Sequence, residues 1–571
     1  MRMISGLRLV ARPALRYSIA AALLGISACV ARSADPPGPV ASEVSSADPV
    51  TRALRANVAT IVVIYAENRA FDNLYGNFPG ASGLGEVVDA SGQPLPSYIP
   101  QRDRDGSTLP SLPQTWGGVT APGYQPVVTQ AMSAGLPNAP FSIEAAFTRE
   151  SGVRLSTMTV TRDLYHRFYE HQMQIDGDKN DQYAAWADAG GLTMGHYDTS
   201  RSALYALARQ YVLADHFFQG AFGGSFLNHQ YLICACAPEY PDADKAAAKP
   251  SITVLDTDAA GRYLPHLRVA PGSPASALDG PPKFVRSGNI TPVNYFGDGK
   301  FYAVNTMQPP YQPSGNPPAP DDSTYRYADP TKPTTLPPQT QTTIGDLLEA
   351  RHIDWVWYSG AWDRALADGE QPASRPRAAI YAPDTPAGSP DFQPHHQPFN
   401  YYARFDPGSQ APERAAHLKD YQDLLTASAA GTLPPVVFYK PQGNLNQHAG
   451  YASIADGDAH IAATIAKLQA GPQWKHMVII VTYDEYGGAW DHVAPPQGDL
   501  LGPGARIPAL IISPFAKKGS VDHTQYDTES ILRLITRRHG LDVLPGIAAR
   551  DRALRAHGEK PMGDLTNALQ F

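Results

Sequence analysis

Residues 58–72 read VATIVVIYAENRAFD, and residues 477–493 read MVIIVTYDEYGGAWDHV. Each opens on an unbroken apolar run, 61–65 in the first and 477–483 in the second. A strand with one wet face alternates apolar and polar residues, so a run rich in β-branched residues without alternation predicts a strand buried on both faces. Each run then stops at polar residues. The first gives Glu67-Asn68-Arg69, then Phe71-Asp72; the second gives Asp484-Glu485, then Gly487-Gly488 and Asp491-His492.

Similar runs occupy 353–358, 436–439 and 507–513, and helical patterns lie between them. Leu204, Leu207, Ala208 and Tyr211 keep helical spacing after Thr199-Ser200, read as a cap. Ile461, Ile465 and Leu468 do so after the turn Asp456-Gly457, and Ile531, Leu534 and Ile535 form a third set. Strands alternating with helices predict an α/β fold, a largely parallel central sheet flanked by helices. Residues 81–140 and 240–340 are rich in Pro, Gly, Asp and Ser with little periodicity. They hold many of the 54 prolines and read as long insertions on one domain spanning 58–571. No internal repeat is present.

The N-terminus reads as a targeting segment over 1–28. Arg2, Arg8, Arg12 and Arg16 precede a short apolar stretch, too short to cross a bilayer. Ile26-Ser27-Ala28-Cys29 resembles a lipoprotein box whose cysteine becomes lipidated and anchors the chain to a membrane; cleavage after Ser33 is the alternative. Either reading predicts export, to the periplasm, to the outer membrane as a lipoprotein, or beyond. Residues 29–57 read as a flexible tether. Loss of four arginines and no acid with residues 1–28 shifts the formal net charge from −8 to −12. No basic run stands out, which argues against nucleic acid as a partner. Cys234 and Cys236 are two apart, a spacing expected to strain a bridge, so they are expected as packed free thiols.

Ligands of parallel α/β sheets bind beyond the carboxyl ends of the strands. Glu67-Asn68-Arg69 with Asp72, and Asp484-Glu485 with Asp491-His492, stand just past two such ends and offer hard oxygen ligands for a divalent cation such as Mg, Ca, Mn or Zn. Adjacent residues on a straight strand face opposite ways, so Asp484 and Glu485 share an ion only if the chain bends there, as the following glycines permit. Phe222-Gly223-Gly224-Ser225-Phe226-Leu227-Asn228-His229 is the candidate nucleophile loop, its glycines allowing close approach of a phosphate. Metal coordination would activate Ser225. His166 and His171 are expected in a helical stretch ending at Asp176-Gly177, and His395-His396 and His448 in loops.

In this order these blocks, with Gly504-Ala505-Arg506-Ile507-Pro508, resemble the bacterial phosphoesterase family of acid phosphatase A and the phosphatidylcholine-hydrolysing phospholipases C, over 58 to about 540. The resemblance implies an alkaline-phosphatase-like core and hydrolysis of phosphate esters through a phosphoserine on Ser225. It implies one divalent metal ion on Glu67, Asn68, Asp484, Glu485 and Ser225. Asn68, His166, His396 and His448 would contact the phosphate, with His448 or His166 protonating the leaving oxygen. Asp72, Asp491, His492 and Arg506 are read as supports. The phospholipase branch shows Pro-Asn-Arg after the nucleophile, where this chain has Leu227-Asn228-His229, and some phospholipases carry a long C-terminal β extension. Both departures point to an acid phosphatase acting on monoesters, with a phospholipase C-type phosphodiesterase as the alternative.

Overall fold

The computed structural model describes residues 46–148, 152–241, 256–257, 263–264, 267–284, 298–381 and 392–571. The expected targeting segment, Cys29 and most of the expected tether lie outside the described residues.

Eight strands form the central sheet: β1 Thr60–Ala66, β2 Val212–Ala214, β3 Trp355–Ser359, β4 Leu418–Asp420, β5 Val436–Lys440, β6 Met477–Tyr483, β7 Ala509–Ile512 and β8 Ser520–Asp522. Their order across the sheet is β8-β2-β7-β6-β1-β5-β3-β4. All pairings are parallel except those of β7, which runs against both β6 and β2. The mostly parallel α/β fold read from the sequence is borne out. β1 and β6 are buried along their whole length, as unalternating runs require.

Register places the polar strand ends together. Thr60 pairs with Met477 and Ala66 with Tyr483, so Glu67 and Asp484 leave the sheet side by side. The Asp484 N–H donates to the Ala66 carbonyl at 3.1 Å.

Among the helices are α1 Pro49–Asn57, α2 Phe168–Ile175, α3 Ala203–Gln210, α4 Ser225–Cys234, α5 Ile454–Ala470 and α6 Thr528–His539. Several local expectations are corrected. The expected tether ends early: Pro49–Asn57 is helical, started by a proline in its first turn and by Asp48, which accepts the Thr51 N–H. The cap of α3 is Ser202, not Thr199-Ser200. Asp456-Gly457 lies inside α5, whose cap is Ser453, because a side chain that accepts the third N–H outcompetes a turn dipeptide. His166 precedes α2, while His171 lies within it. Cys234 and Cys236 are bridged rather than free. The C-cap Ala235 is left-handed at φ 49°, which turns the chain so that the two Cα atoms lie 5.1 Å apart, within disulfide reach.

Candidate active site

Asn68 follows β1 at φ 60° and turns the chain back over the end of β6, where the Arg69 N–H donates to the Glu485 carbonyl at 2.9 Å. Asp484 Oδ1 accepts the N–H groups of Asn68 (3.0 Å) and Glu485 (2.8 Å). Glu485 Oε2 accepts the Gly487 N–H at 2.6 Å. Gly487 and Gly488, at φ 63° and 74°, supply the bend that brings both acids to one side. A Cβ on Gly487 would stand 2.7 Å from the Asn68 carbonyl carbon.

Ser225 is not in a loop but is the first residue of α4. Its Oγ lies 3.1 Å from Glu67 Oε2, 3.3 Å from Asn68 Oδ1 and 3.5 Å from Glu485 Oε1. One hydroxyl proton thus faces three acceptors. Three carboxylates, an amide oxygen and a hydroxyl converge without a cation of their own, except that Lys440, the last residue of β5, contacts Glu67 Oε1. The start of α4 adds the positive end of a helix dipole, suited to an anionic phosphate.

The electrostatics follow from this crowding. Burial pushes Glu67 upward, but the Lys440 ammonium and His396 outweigh it and hold the acid well below its usual range. Burial and the charge of Glu67 push Asp484 up to about 8. Burial and Asp484 likewise push Glu485 well up. Asp484 Oδ2 is buried without a hydrogen-bond partner. An orphaned oxygen inside an all-oxygen, self-repelling set fits a hard or borderline divalent cation held by Glu67, Asn68, Asp484, Glu485 and Ser225.

Three histidines flank the carboxylates. His448 Nε2 meets Asn68 Nδ2 at 3.0 Å, which turns Asn68 Oδ1 toward Ser225. His448 Nδ1 contacts the Ala449 carbonyl, and His166 Nδ1 lies 2.6 Å from the Leu164 carbonyl. A carbonyl only accepts, so each ring carries its proton on Nδ1 and presents Nε2 to the site. His166 Nε2 is 3.7 Å from Glu485 Oε1. Its side chain is 18% exposed, whereas Glu67, Glu485 and His396 are buried, so the site opens beside His166. His396 Nε2 lies 2.7 Å from Glu67 Oε1 and behind the carboxylates. It is buried, and burial lowers it to about 4. All eight candidate residues therefore share one site, with His396 behind the acids and His166 and His448 on the open side.

Sequence reasoning missed Lys440 and gave His171, Asn228 and His229 no supporting role. Lys440 ends an apolar strand, the signal that could have found it. His171 accepts the Gly223 N–H on Nδ1 (3.0 Å) and stacks on Tyr486 at 3.7 Å, which ties the turn before Ser225 to the Glu485 segment. Asn228 holds the same turn through the Ala221 N–H (2.9 Å), and His229 Nδ1 donates to the Ser225 carbonyl (2.8 Å). Leu227, Asn228 and His229 are wholly buried. The departure from Pro-Asn-Arg thus faces inward and does not line the opening.

Arg506 joins the loops after β1 and β6. Its Nε donates to Asp491 (2.9 Å) and Nη2 to Asp72 (3.1 Å), and His492 Nδ1 lies 2.6 Å from Asp72.

Residues 58–542 match the model of the Phosphoesterase family, and the chain belongs to that family. It is similar to phospholipase C B of Mycobacterium tuberculosis, 29% identical over 163 residues, covering 24% of this chain and 30% of that protein. It is also similar to the non-hemolytic phospholipase C of Pseudomonas aeruginosa, 28% identical over 174 residues, covering 25% of this chain and 24% of that protein. The matched stretches thus span under a third of these relatives' lengths. Among solved structures, a protein of the alkaline phosphatase superfamily from Vibrio parahaemolyticus overlaps 44% of this chain and 55% of its own, at 17% identity and a TM-score of 0.19.

Proposed function

We propose that this chain hydrolyses phosphate esters by attack of Ser225, and that its substrates are phosphodiesters of the phospholipid-headgroup type. The observation that carries the chemistry is Ser225 Oγ at a helix start, within 3.5 Å of Glu67, Asn68 and Glu485. The names of the two relatives, both phospholipases C, support the diester over the monoester reading. The inward-facing Leu227-Asn228-His229 removes one argument for the acid phosphatase branch.

A bound divalent cation would stabilise the Ser225 alkoxide and neutralise negative charge on the phosphoryl oxygens. The chain's own groups do the rest. Ser225 Oγ gives up its proton toward Glu485 Oε1, which burial and Asp484 make the more basic of its two carboxylate neighbours, and forms the Oγ–P bond as the ester P–O bond breaks. The N-terminal amides of α4 and the Asn68 Nδ2 face the developing charge. The Nδ1–H groups of His166 and His448 are committed to carbonyls, so the leaving oxygen takes a proton from Nε2 of an imidazolium. We assign this role to His166, which lines the opening: burial outweighs the pull of Asp163 Oδ1 at 3.6 Å and holds the ring below 6.5, so a proton on it is readily given up. Water then cleaves the Oγ–P bond and restores Ser225. On the N-terminal residues we place the protein outside the cytoplasm, with a membrane anchor if Cys29 is lipidated.

Turnover of a chromogenic phosphate monoester and of its phosphorylcholine diester, by the protein and by Ser225→Ala, tests this. The diester should be preferred and all turnover should vanish in the variant. Monoester preference would return the chain to the phosphatase branch, and turnover by a folded Ser225→Ala would end the serine mechanism.

A further inference from the structure

We propose that Asp215, His216 and His523 form a second cation site, selective for zinc-like divalent ions, on the same sheet edge but separate from the carboxylates around Ser225. The same topology builds it. β2 and β8 pair in parallel, with Ala214 opposite Asp522, so the residues that follow them leave the sheet together. The Asp215 N–H donates to the Asp522 carbonyl at 3.1 Å. His216 Nδ1 lies 2.8 Å from Asp215 Oδ1, and His523 Nδ1 lies 2.8 Å from Asp215 Oδ2. One ligand atom from each residue falls within 4.8 Å of the others.

Chemistry and access both suit an ion. Two imidazoles and a carboxylate are a borderline donor set, the kind zinc takes at about 2.0–2.2 Å. Ligand atoms 2.8 Å apart subtend about 90° at an ion so placed, and each carboxylate oxygen stands beside a different imidazole. A neutral imidazole binds through Nδ1 once its proton sits on Nε2. The Asp215 side chain is fully buried, while those of His216 and His523 are 30% and 60% exposed, so an ion reaches the site from solvent and keeps water on its open side.

Comparison with the other groups of acids and histidines singles this one out. The cluster of Glu67, His229 and His396 already contains Lys440 against Glu67. That of Asp72, Asp491 and His492 contains Arg506, and that of Glu349, Glu413 and His417 contains Arg404. Asp163, His166 and His448 belong to the catalytic wall. Among the described residues, the Asp215 carboxylate meets no lysine or arginine side chain; its partners are the two histidines and the Ser82 N–H at 2.8 Å.

The ion would act as a clamp. Ser82 opens the first long insertion, and Arg506 Nη1 holds both the Ser82 carbonyl (2.8 Å) and the Asp215 carbonyl (2.9 Å). Zinc on Asp215 would fasten that insertion to the ends of β2 and β8 without touching the reacting groups.

Calorimetric titration of the metal-free full chain with zinc tests the site, with phosphate-ester turnover of the same samples reporting the catalytic centre. The unaltered chain should show two classes of zinc binding. His216→Ala/His523→Ala should lose one of them, bind one equivalent fewer, and keep its turnover. His523→Ala alone removes an exposed ring that no core packing needs, and should weaken that class at least tenfold in a folded protein. Glu67→Gln/Asp484→Asn should retain it. Unchanged zinc stoichiometry and affinity in His523→Ala and in the double variant would overturn the proposal, whatever the outcome of the Ser225 assay.

Discussion

Gly487→Ala tests the bend on which the site rests. Gly487 has φ 63°, and an added Cβ would lie 2.7 Å from the Asn68 carbonyl carbon and 2.9 Å from Asn68 Cβ, nearer still to the carbonyl oxygen. Those atoms belong largely to backbone fixed by the Asp484 and Glu485 hydrogen bonds, so they cannot swing aside. A left-handed alanine costs about 1–2 kcal/mol, and forcing a methyl into a packed contact adds about 1–3 kcal/mol. Gly106 supplies the control: its φ is 84°, yet nothing lies within 4 Å of its added Cβ. Gly106→Ala should therefore lose only about 1–2 kcal/mol, while Gly487→Ala loses about 2–5 kcal/mol. Because Asn68 and Glu485 both flank Ser225, a shift of about 1 Å should also cut turnover roughly 100-fold. Urea midpoints with initial rates at saturating divalent ion read both effects. Equal stability and full turnover in the two variants would refute the close approach of the two strand-end loops.

Arg506→Met should destabilise the fold by about 3–5 kcal/mol, because Asp72 and Asp491 would stay buried without their countercharge; Arg506→Lys should recover only part, since one ammonium cannot reproduce the fork, and melting temperatures check both. Asp72 is held below its usual 3.8: burial raises it, but His492 and Arg506 more than offset that. His492 is raised above 6.5 because the charge of Asp72 outweighs burial. The acid's contribution is present above pH 3.8 and fades as pH falls through its lowered value; the imidazolium's is full below pH 6.5 and fades as pH rises through its raised value. The stability gap between the protein and His492→Asn should therefore peak near pH 4–6.5 in urea titrations, and a flat gap would contradict the pairing. Chelation should abolish phosphate-ester turnover and lower the melting temperature, with both restored by a divalent ion; Glu485→Gln, which removes one of the repelling carboxylates, should melt higher than the unaltered protein when both are metal-free.

The two apolar runs at 61–65 and 477–483, and the polar residues that end them, are enough to place two buried strands and to mark their ends as a candidate cation edge, while the particular set Glu67, Asn68, Asp484 and Glu485 rests on the family resemblance. That reading is local: periodicity and abrupt polarity changes are written within a few residues. The sites of Ser225 and the histidines came from resemblance to a family, since a single Gly-Gly-Ser or a lone histidine carries little signal by itself. Tertiary structure decided what pattern cannot carry. Asn68 and Asp484 bond across 416 positions, and Lys440, His171 and Arg506 acquire their roles only from what folds against them. It also put Ser225 on a helix start instead of a loop, bridged Cys234 to Cys236 through a left-handed Ala235, and gathered Asp215, His216 and His523. The physical reason is range. Burial and backbone pattern are set by neighbours in sequence, whereas a buried charge is defined by whichever partner the fold brings within a few ångströms of it.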